Sequence, residues 1–279
     1  MTKGLLHALL FLIACTILII SCQSGANKNA ARQNEGDSAD FRIALLPIEE
    51  CAPFYFARQA GIYDSLGIKV NLVAYNSQFD CDTAIRNRRV DVSVSDKIRM
   101  ATYSQKTAAW EPLVSPSGKW GLAVSGQLRI RKAKDISGRM IGMSRKSASY
   151  WWLQHFLSKA GVAEDDIFQI QINDIPLRCR MLLNNQIDAA ILPEPYLTIA
   201  KLNGAKILAV EKSPDDAPSV ILITKKQLQE STQQEKIKKL KEAYRISLSR
   251  MSSFSKATKD SVLQNYYRIP AEWRDSITF

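Results

Sequence analysis

The sequence predicts an α/β protein of two lobes, each a mainly parallel sheet flanked by helices, with a cleft between them. Three observations carry this. The order strand–helix–strand–helix–strand occurs twice in 279 residues. The two copies agree in spacing: from Ile43 to Asp91 is 48 positions and from Ile141 to Asp188 is 47, and Asn87-Arg88-Arg89-Val90-Asp91-Val92 aligns with Asn184-Asn185-Gln186-Ile187-Asp188-Ala189. The short apolar runs Val92-Ser93-Val94 and Ala189-Ala190-Ile191-Leu192 suit strands covered on both faces.

In the first copy, Phe41–Leu46 is a β-like run followed by the polar loop Pro47–Ala52. Pro53 suits the first turn of a helix that runs to Ala60 and stops at Gly61. Ile68–Val73 alternates as a strand, Phe79–Arg88 reads as a helix, and Val90–Val94 is a strand ending at Ser95-Asp96. In the second copy, Arg139–Met143 is a strand with the loop Ser144-Arg145-Lys146 after it. Ser147–Ala160 is a helix on the spacing of Leu153, Phe156, Leu157 and Ala160. Phe168–Ile172, Leu177–Gln186 and Ile187–Leu192 complete the copy as strand, helix and strand. Gly118–Gly126 and Leu128–Ile130 mark the crossing between lobes, and the return lies near Pro214–Val220, with Ser219–Thr224 resuming a buried strand. Lobe 1 is then 41–126 with 217–279, and lobe 2 is 127–216. Ile237, Leu240, Tyr244, Leu248 and Met251 form one face of a long C-terminal helix.

With 46% hydrophobic and 23% charged residues the chain has a globular composition. It has two histidines, His7 and His155, and no CxxC or HExxH, which argues against a zinc site; no metal or other cofactor is expected. The absence of GxxxxGK[ST] and GxGxxG argues against nucleotide chemistry. Residues 1–22 read as an export segment: Lys3, then an apolar run from Ala8 to Ile20 that is short for a permanent span. It ends in Ile19-Ile20-Ser21-Cys22, which resembles a bacterial lipoprotein signal. That resemblance implies removal of 1–21 and lipidation of Cys22, although Leu12-Ile13-Ala14-Cys15 also fits. Cys22 is preferred, because Cys15 would leave Thr16–Ile20 as an exposed apolar stub. Residues 22–40 contain no large apolar side chain and read as a flexible tether. The expected place is the periplasm, anchored to a membrane. The net charge of +11 then reads as a solvated basic surface rather than a nucleic-acid site.

Ligands of such sheets bind beyond the carboxyl ends of the strands, at helix amino ends. Five segments lie at those edges: Pro47–Pro53, Ser95–Lys97, Ser144–Tyr150, Asn173–Pro176 and Pro193–Tyr196. Pro53–Val73 (PFYFARQAGIYDSLGIKVNLV) and Asp188–Leu208 (DAAILPEPYLTIAKLNGAKIL) resemble the nitrate/sulfonate/taurine and thiamine-precursor substrate-binding proteins of ABC importers. Lys134–Met143 with Ser147–Tyr150, and Val262–Pro270, extend the likeness over most of 41–279. The resemblance implies the type II two-lobed periplasmic-binding-protein fold. It also implies capture of a small molecule without catalysis, a permease and ATPase as partners, and a monomer. The alternatives are a sensory lipoprotein of the same fold, or an enzyme like the fold's menaquinone- and pyrimidine-synthesis relatives.

The candidate ligand-binding residues are Glu49, Glu50 and Cys51 in the first loop, then Ser95, Asp96 and Trp120. In the second copy they are Ser144, Ser147, Ser149, Tyr150, Asn173, Glu194 and Tyr196. Each has a plainer reading: the serines and Asp96 as helix caps, Glu194 as a stiff surface turn, Tyr196 and Trp120 as core. Glu49, Glu50, Asp96 and Glu194 at four edges favour a neutral or cationic ligand over an anion. In this family's sheet, Cys51 and Cys81 leave from the same edge of neighbouring strands. They would either form a disulfide or remain buried free thiols.

Overall fold

The structure is a computed structural model and describes residues 39–107, 109–212 and 219–279. The export segment, Cys22 and most of the tether lie outside the described residues.

The first copy folds as β1 (Phe41–Leu45), a 3-10 turn (Glu49–Cys51), α1 (Ala52–Gln59), the short α2 (Ile62–Ser65), β2 (Val70–Ala74), α3 (Gln78–Arg86) and β3 (Val92–Asp96). It continues through α4 (Lys97–Thr107) and β4 (Trp110–Val114). β5 (Lys119–Val124) leads into the second copy: β6 (Met140–Met143), α5 (Ala148–Ala160), β7 (Phe168–Gln171), α6 (Ile175–Leu183) and β8 (Ala189–Pro193). α7 (Tyr196–Leu202) and β9 (Lys206–Lys212) follow, then β10 (Ser219–Thr224), α8 (Lys225–Gln229), α9 (Gln234–Arg250), α10 (Lys256–Asn265) and α11 (Ala271–Arg274).

Two five-stranded sheets result, ordered β2-β1-β3-β10-β4 and β7-β6-β8-β5-β9. In each, three strands of one copy run parallel, and the fourth position is taken by an antiparallel strand from elsewhere in the chain. Four strands of each sheet therefore share a direction and one opposes them. β10 returns from lobe 2 to fill lobe 1, and β5 enters lobe 2 ahead of its own copy. The sequence reading placed Lys119–Val124 in lobe 1. Its strand instead pairs with β8 and β9, so the outgoing crossing is the segment 115–118. Trp120, Leu122 and Val124 bury their side chains among Ile141, Trp152 and Ile191, and this burial holds the strand in the second sheet.

The repeated turns have repeated causes. Asn87 and Asn184 end α3 and α6, and the residues after them, Arg88 and Asn185, sit at φ 57° and 56°. Asp91 and Asp188 each accept a hydrogen bond from a backbone N–H at the start of the first strand of their copy, Arg42 at 2.9 Å and Met140 at 2.9 Å.

The C-terminal helices close lobe 1 against α1. Phe54 packs on Tyr244 and Tyr55 on Tyr266, with ring centroids 5.0 and 4.4 Å apart. Ile237, Leu240, Tyr244 and Met251 are buried as the spacing predicts, while Leu248 is 53% exposed at the margin of that stripe. The hydroxyls of Tyr267 and Tyr55 donate to the carbonyls of Ile48 and Leu46, at 2.9 and 3.1 Å. These two bonds fix the loop after β1, which reaches the space between the lobes.

Candidate interlobe site

The carboxyl ends of β1, β3, β6 and β8 point at one another across the lobes. Ser77 and Asp174, the N-caps of the equivalent helices α3 and α6, bridge directly, and the Ile175 N–H donates to Asn76 O at 3.0 Å. Between the lobes lies a narrow cavity of about 30 Å³, open to solvent and water-sized as the lobes stand. Lobe 1 lines it with Leu46, Ile48, Ser95, Asp96 and Ser219, lobe 2 with Trp120, Ser144, Ser147, Ser149, Asn173 and Arg178.

The serine cluster is locally determined. β6 ends at Met143 and the chain turns through Lys146 at φ 51° into α5. Ser147 is the N-cap residue, yet its hydroxyl donates to Ser144 O at 2.6 Å instead of accepting from its own helix. Ser149 Oγ accepts from the Ser144 N–H at 2.9 Å and lies 3.0 Å from Ser147 Oγ. Ser144 Oγ donates to Asn173 Oδ1 at 2.8 Å, which ties the turn to the end of β7. The result is a rigid set of hydroxyls and amides on one wall.

The opposite wall is built on a buried charge cluster. Asp96 ends β3 and caps α4, its Oδ1 accepting from the Arg99 N–H at 2.8 Å. Its Oδ2 accepts from the Ala148 N–H, the first of α5 in the other lobe, at 3.1 Å. Arg99 pairs with Asp82 at 2.8 Å and lies 3.7 Å from Asp96. Asp82 also accepts from Ser95 Oγ at 3.1 Å and Gln78 Nε2 at 3.0 Å. Burial pushes the Asp96 carboxyl up to about 6, against the pull of Arg99. The Asp82 carboxyl is raised by burial in the same direction.

Seven of the sequence-predicted residues therefore meet in the cavity: Ser95, Asp96, Trp120, Ser144, Ser147, Ser149 and Asn173. The other six lie outside its lining. Glu49 accepts from the Lys119 N–H at 2.9 Å, a tie between lobes. Glu194 spends both oxygens on Thr198, at 3.1 and 3.0 Å, as the cap of α7. The Tyr150 hydroxyl donates to Glu164 on the surface of lobe 2, and Tyr196 is buried in the core. Cys51 and Cys81 are free, buried thiols, so the bridge considered from the sequence is absent. Burial raises both thiols far above their ordinary range, which leaves little of the thiolate that disulfide exchange requires.

Glu50 lies beneath the crossings between lobes. It is wholly buried, and its Oε1 accepts from the Trp120 indole at 2.6 Å and from Ser219 Oγ at 3.1 Å. Its Oε2 has no hydrogen-bond partner among the described residues, and burial pushes the carboxyl up to about 7. Gly118, at the end of the outgoing crossing, passes so close that a Cβ there would lie 2.4 Å from the Glu50 carboxyl carbon.

Sequence reasoning missed Asp82, Arg99 and Arg178. Arg178 is buried and donates only to backbone: Ile172 O at 3.0 and 2.7 Å and Ile191 O at 2.8 Å. Burial lowers its pKa to about 10. The legible signal was a charge on an otherwise apolar helical stripe, Ile175, Arg178, Cys179 and Leu182. Among the described residues no group of three His, Cys, Asp or Glu side chains could hold a metal ion.

Comparison with known proteins places this geometry. The alkanesulfonate-binding protein SsuA of Xanthomonas axonopodis pv. citri, solved bound to MOPS, superposes with a TM-score of 0.69 over 84% of this chain and 81% of its own, at 14% identity. The nitrate-binding protein NrtA of Synechocystis PCC 6803 superposes at 0.66 over 83% and 68%, at 12% identity. These likenesses establish the two-lobed periplasmic-binding-protein fold. A protein of Brachyspira hyodysenteriae described as an ABC transporter periplasmic binding protein is 24% identical over 216 residues, 72% of this chain but only 60% of that relative. The NMT1/THI5-like family model matches residues 49–253, from the loop after β1 to just beyond α9, and the chain belongs to that family.

Proposed function

We propose that this protein is the solute-binding component of an ABC importer, exported and held at a bacterial membrane through a lipid on Cys22. It captures a small molecule between its lobes and delivers it, as a monomer and without chemical change, to a permease driven by an ATPase. The observation that carries the reading is the cavity itself. Its walls come from both sheets at their carboxyl edges, so a solute bound there contacts both lobes and favours their closed arrangement by its differential affinity. The ligand-contacting residues in this reading are Ser95, Asp96, Trp120, Ser144, Ser147, Ser149 and Asn173. The relatives' roles support the same reading, as does the lipoprotein-like run Ile19-Ile20-Ser21-Cys22.

Native mass spectrometry of the purified protein should show a co-purifying small molecule. Adding that molecule at 100 times its Kd should stabilise the fold by about 2.7 kcal/mol. Turnover of the bound molecule, or no solute found across a broad screen, would refute the reading. Cys22→Ala should release the protein from membranes into the soluble fraction; unchanged anchoring would sink the lipid assignment.

A further inference from the structure

The amino end of α5 presents donors to the cavity, and no side chain of its own turn caps it, because Ser147 Oγ is committed to Ser144 O. The acceptor comes from the facing lobe. One carboxylate, Asp96, caps two helices at once: Oδ1 on the Arg99 N–H of α4 and Oδ2 on the Ala148 N–H of α5. Asp96 is only 2% exposed and is held from behind by Arg99, which also reaches Arg145 O of lobe 2 at 3.5 Å.

The formal charges around the cavity already balance. The walls carry one acid, Asp96, and one base, Arg178; Asp96 shares Arg99 with Asp82 behind the wall, Arg178 donates to the carbonyls of Ile172 and Ile191, and the other polar wall groups are hydroxyls, amides and the Trp120 indole. Of the four acids that suggested a neutral or cationic ligand, Asp96 alone lines the cavity and is committed to two helices; Glu49 holds the Lys119 N–H, Glu50 holds Trp120 and Ser219 through Oε1 away from the walls, and Glu194 holds Thr198. An added anion would compete with a fixed carboxylate for the same helix end, and an added cation would find no uncommitted carboxylate on the cavity walls.

We infer that Asp96 sets the charge class of the solute: it fills from across the cleft the position an anionic group would take, so the site admits an uncharged polar solute. This rests on the reading of the cavity as a solute site.

The test uses the mature protein at pH 8, with methanesulfonate as probe and chloride at matched ionic strength as control. Asp96→Ser removes the cross-lobe carboxylate while its hydroxyl can still cap α4. Calorimetry should show at least a tenfold gain in methanesulfonate affinity for Asp96→Ser over wild type, with the Ala148 amide resonance shifting during titration. Asp96→Asn, which keeps the side-chain shape, should gain in the same direction and serves if the serine variant does not fold. Wild-type binding as tight as the variant's, or a variant with no gain, would overturn the inference. In a size-matched solute panel, only uncharged members should stabilise the wild type; stabilisation by an anion or a cation would also overturn it. A gain in the variant with no solute stabilising the wild type would uphold the role of Asp96 while defeating the importer reading, so the two fail separately.

Discussion

The two copies of the repeat share a scaffold and differ in where they bury charge. Their turns are built alike, with Asn87 and Asn184 ending equivalent helices and Asp91 and Asp188 tying equivalent strands. Their acids after the third strand are not used alike. Glu194 gives both oxygens to its own helix, whereas Asp96 gives one to its own helix and one to the other lobe. The same asymmetry recurs at the crossings. Glu49, Glu50 and Asp96 are all acceptors on lobe 1, and the Lys119 N–H, the Trp120 indole and the Ala148 N–H are donors to them on lobe 2. The repeat thus supplies rigidity, and the departures from it supply the site.

The largest effect should come from the compensated cluster of lobe 1. Asp82→Ala takes the nearer carboxylate, at 2.8 Å, from the buried Arg99 guanidinium, leaves it Asp96 at 3.7 Å, and should cost about 3–5 kcal/mol. Arg178→Met removes a cation that has only backbone partners and should cost about 1–3 kcal/mol. Urea unfolding compares them, and an equal cost would erase the distinction between the lobes.

Glu50 comes next. Its carboxyl titrates near 7 when folded against 4.5 ordinarily, so the folded state holds the proton more tightly. Its contribution to stability is full below about pH 4.5 and is lost as pH rises through about 7, an effect on the order of 3 kcal/mol. Asp96 and Asp82, also raised, act in the same direction. The wild-type minus Glu50→Gln difference isolates the one group, and a difference that does not vary with pH would contradict its burial as an acid.

Gly118→Ala places a methyl against Glu50 and should cost about 1–3 kcal/mol. In the Glu50→Ala background the same change should cost less than half as much, and equal costs would show that the crossing does not press on Glu50. The smallest contrast lies in the shared turns. Asp91→Ala should cost about 1–2 kcal/mol, because Asp91 also pairs with the Arg42 guanidinium at 3.3 Å and accepts from Gln227. Asp188→Ala should cost about 0.5–1 kcal/mol. The reverse order would mean that the strand tie, not the added partners, sets the energy.

The repeat was legible in the sequence because it is local chemistry. Strand alternation, the helical stripe Leu153, Phe156 and Leu157, and the Asn and Asp of the helix-to-strand turns each report on neighbours within a few residues. The edge rule then placed Ser95, Asp96, Ser144, Ser147, Ser149 and Asn173 at the cavity, since the ends of parallel strands follow from strand direction alone. Long-range pairing decided the rest. Whether β5 joined the first sheet or the second, and whether Asp96 capped one helix or two, depended on which surfaces met across more than 50 residues of chain. The acids Glu49, Glu50, Asp96 and Glu194 could be counted from the sequence; Glu194 takes its donor four residues on, from Thr198, but Glu49, Glu50 and Asp96 take donors from distant chain, at Lys119, Trp120 and Ala148. A buried carboxylate persists only where tertiary structure brings it hydrogen bonds, a counter-charge or a proton, and those partners are fixed by how the lobes pack rather than by the residues on either side.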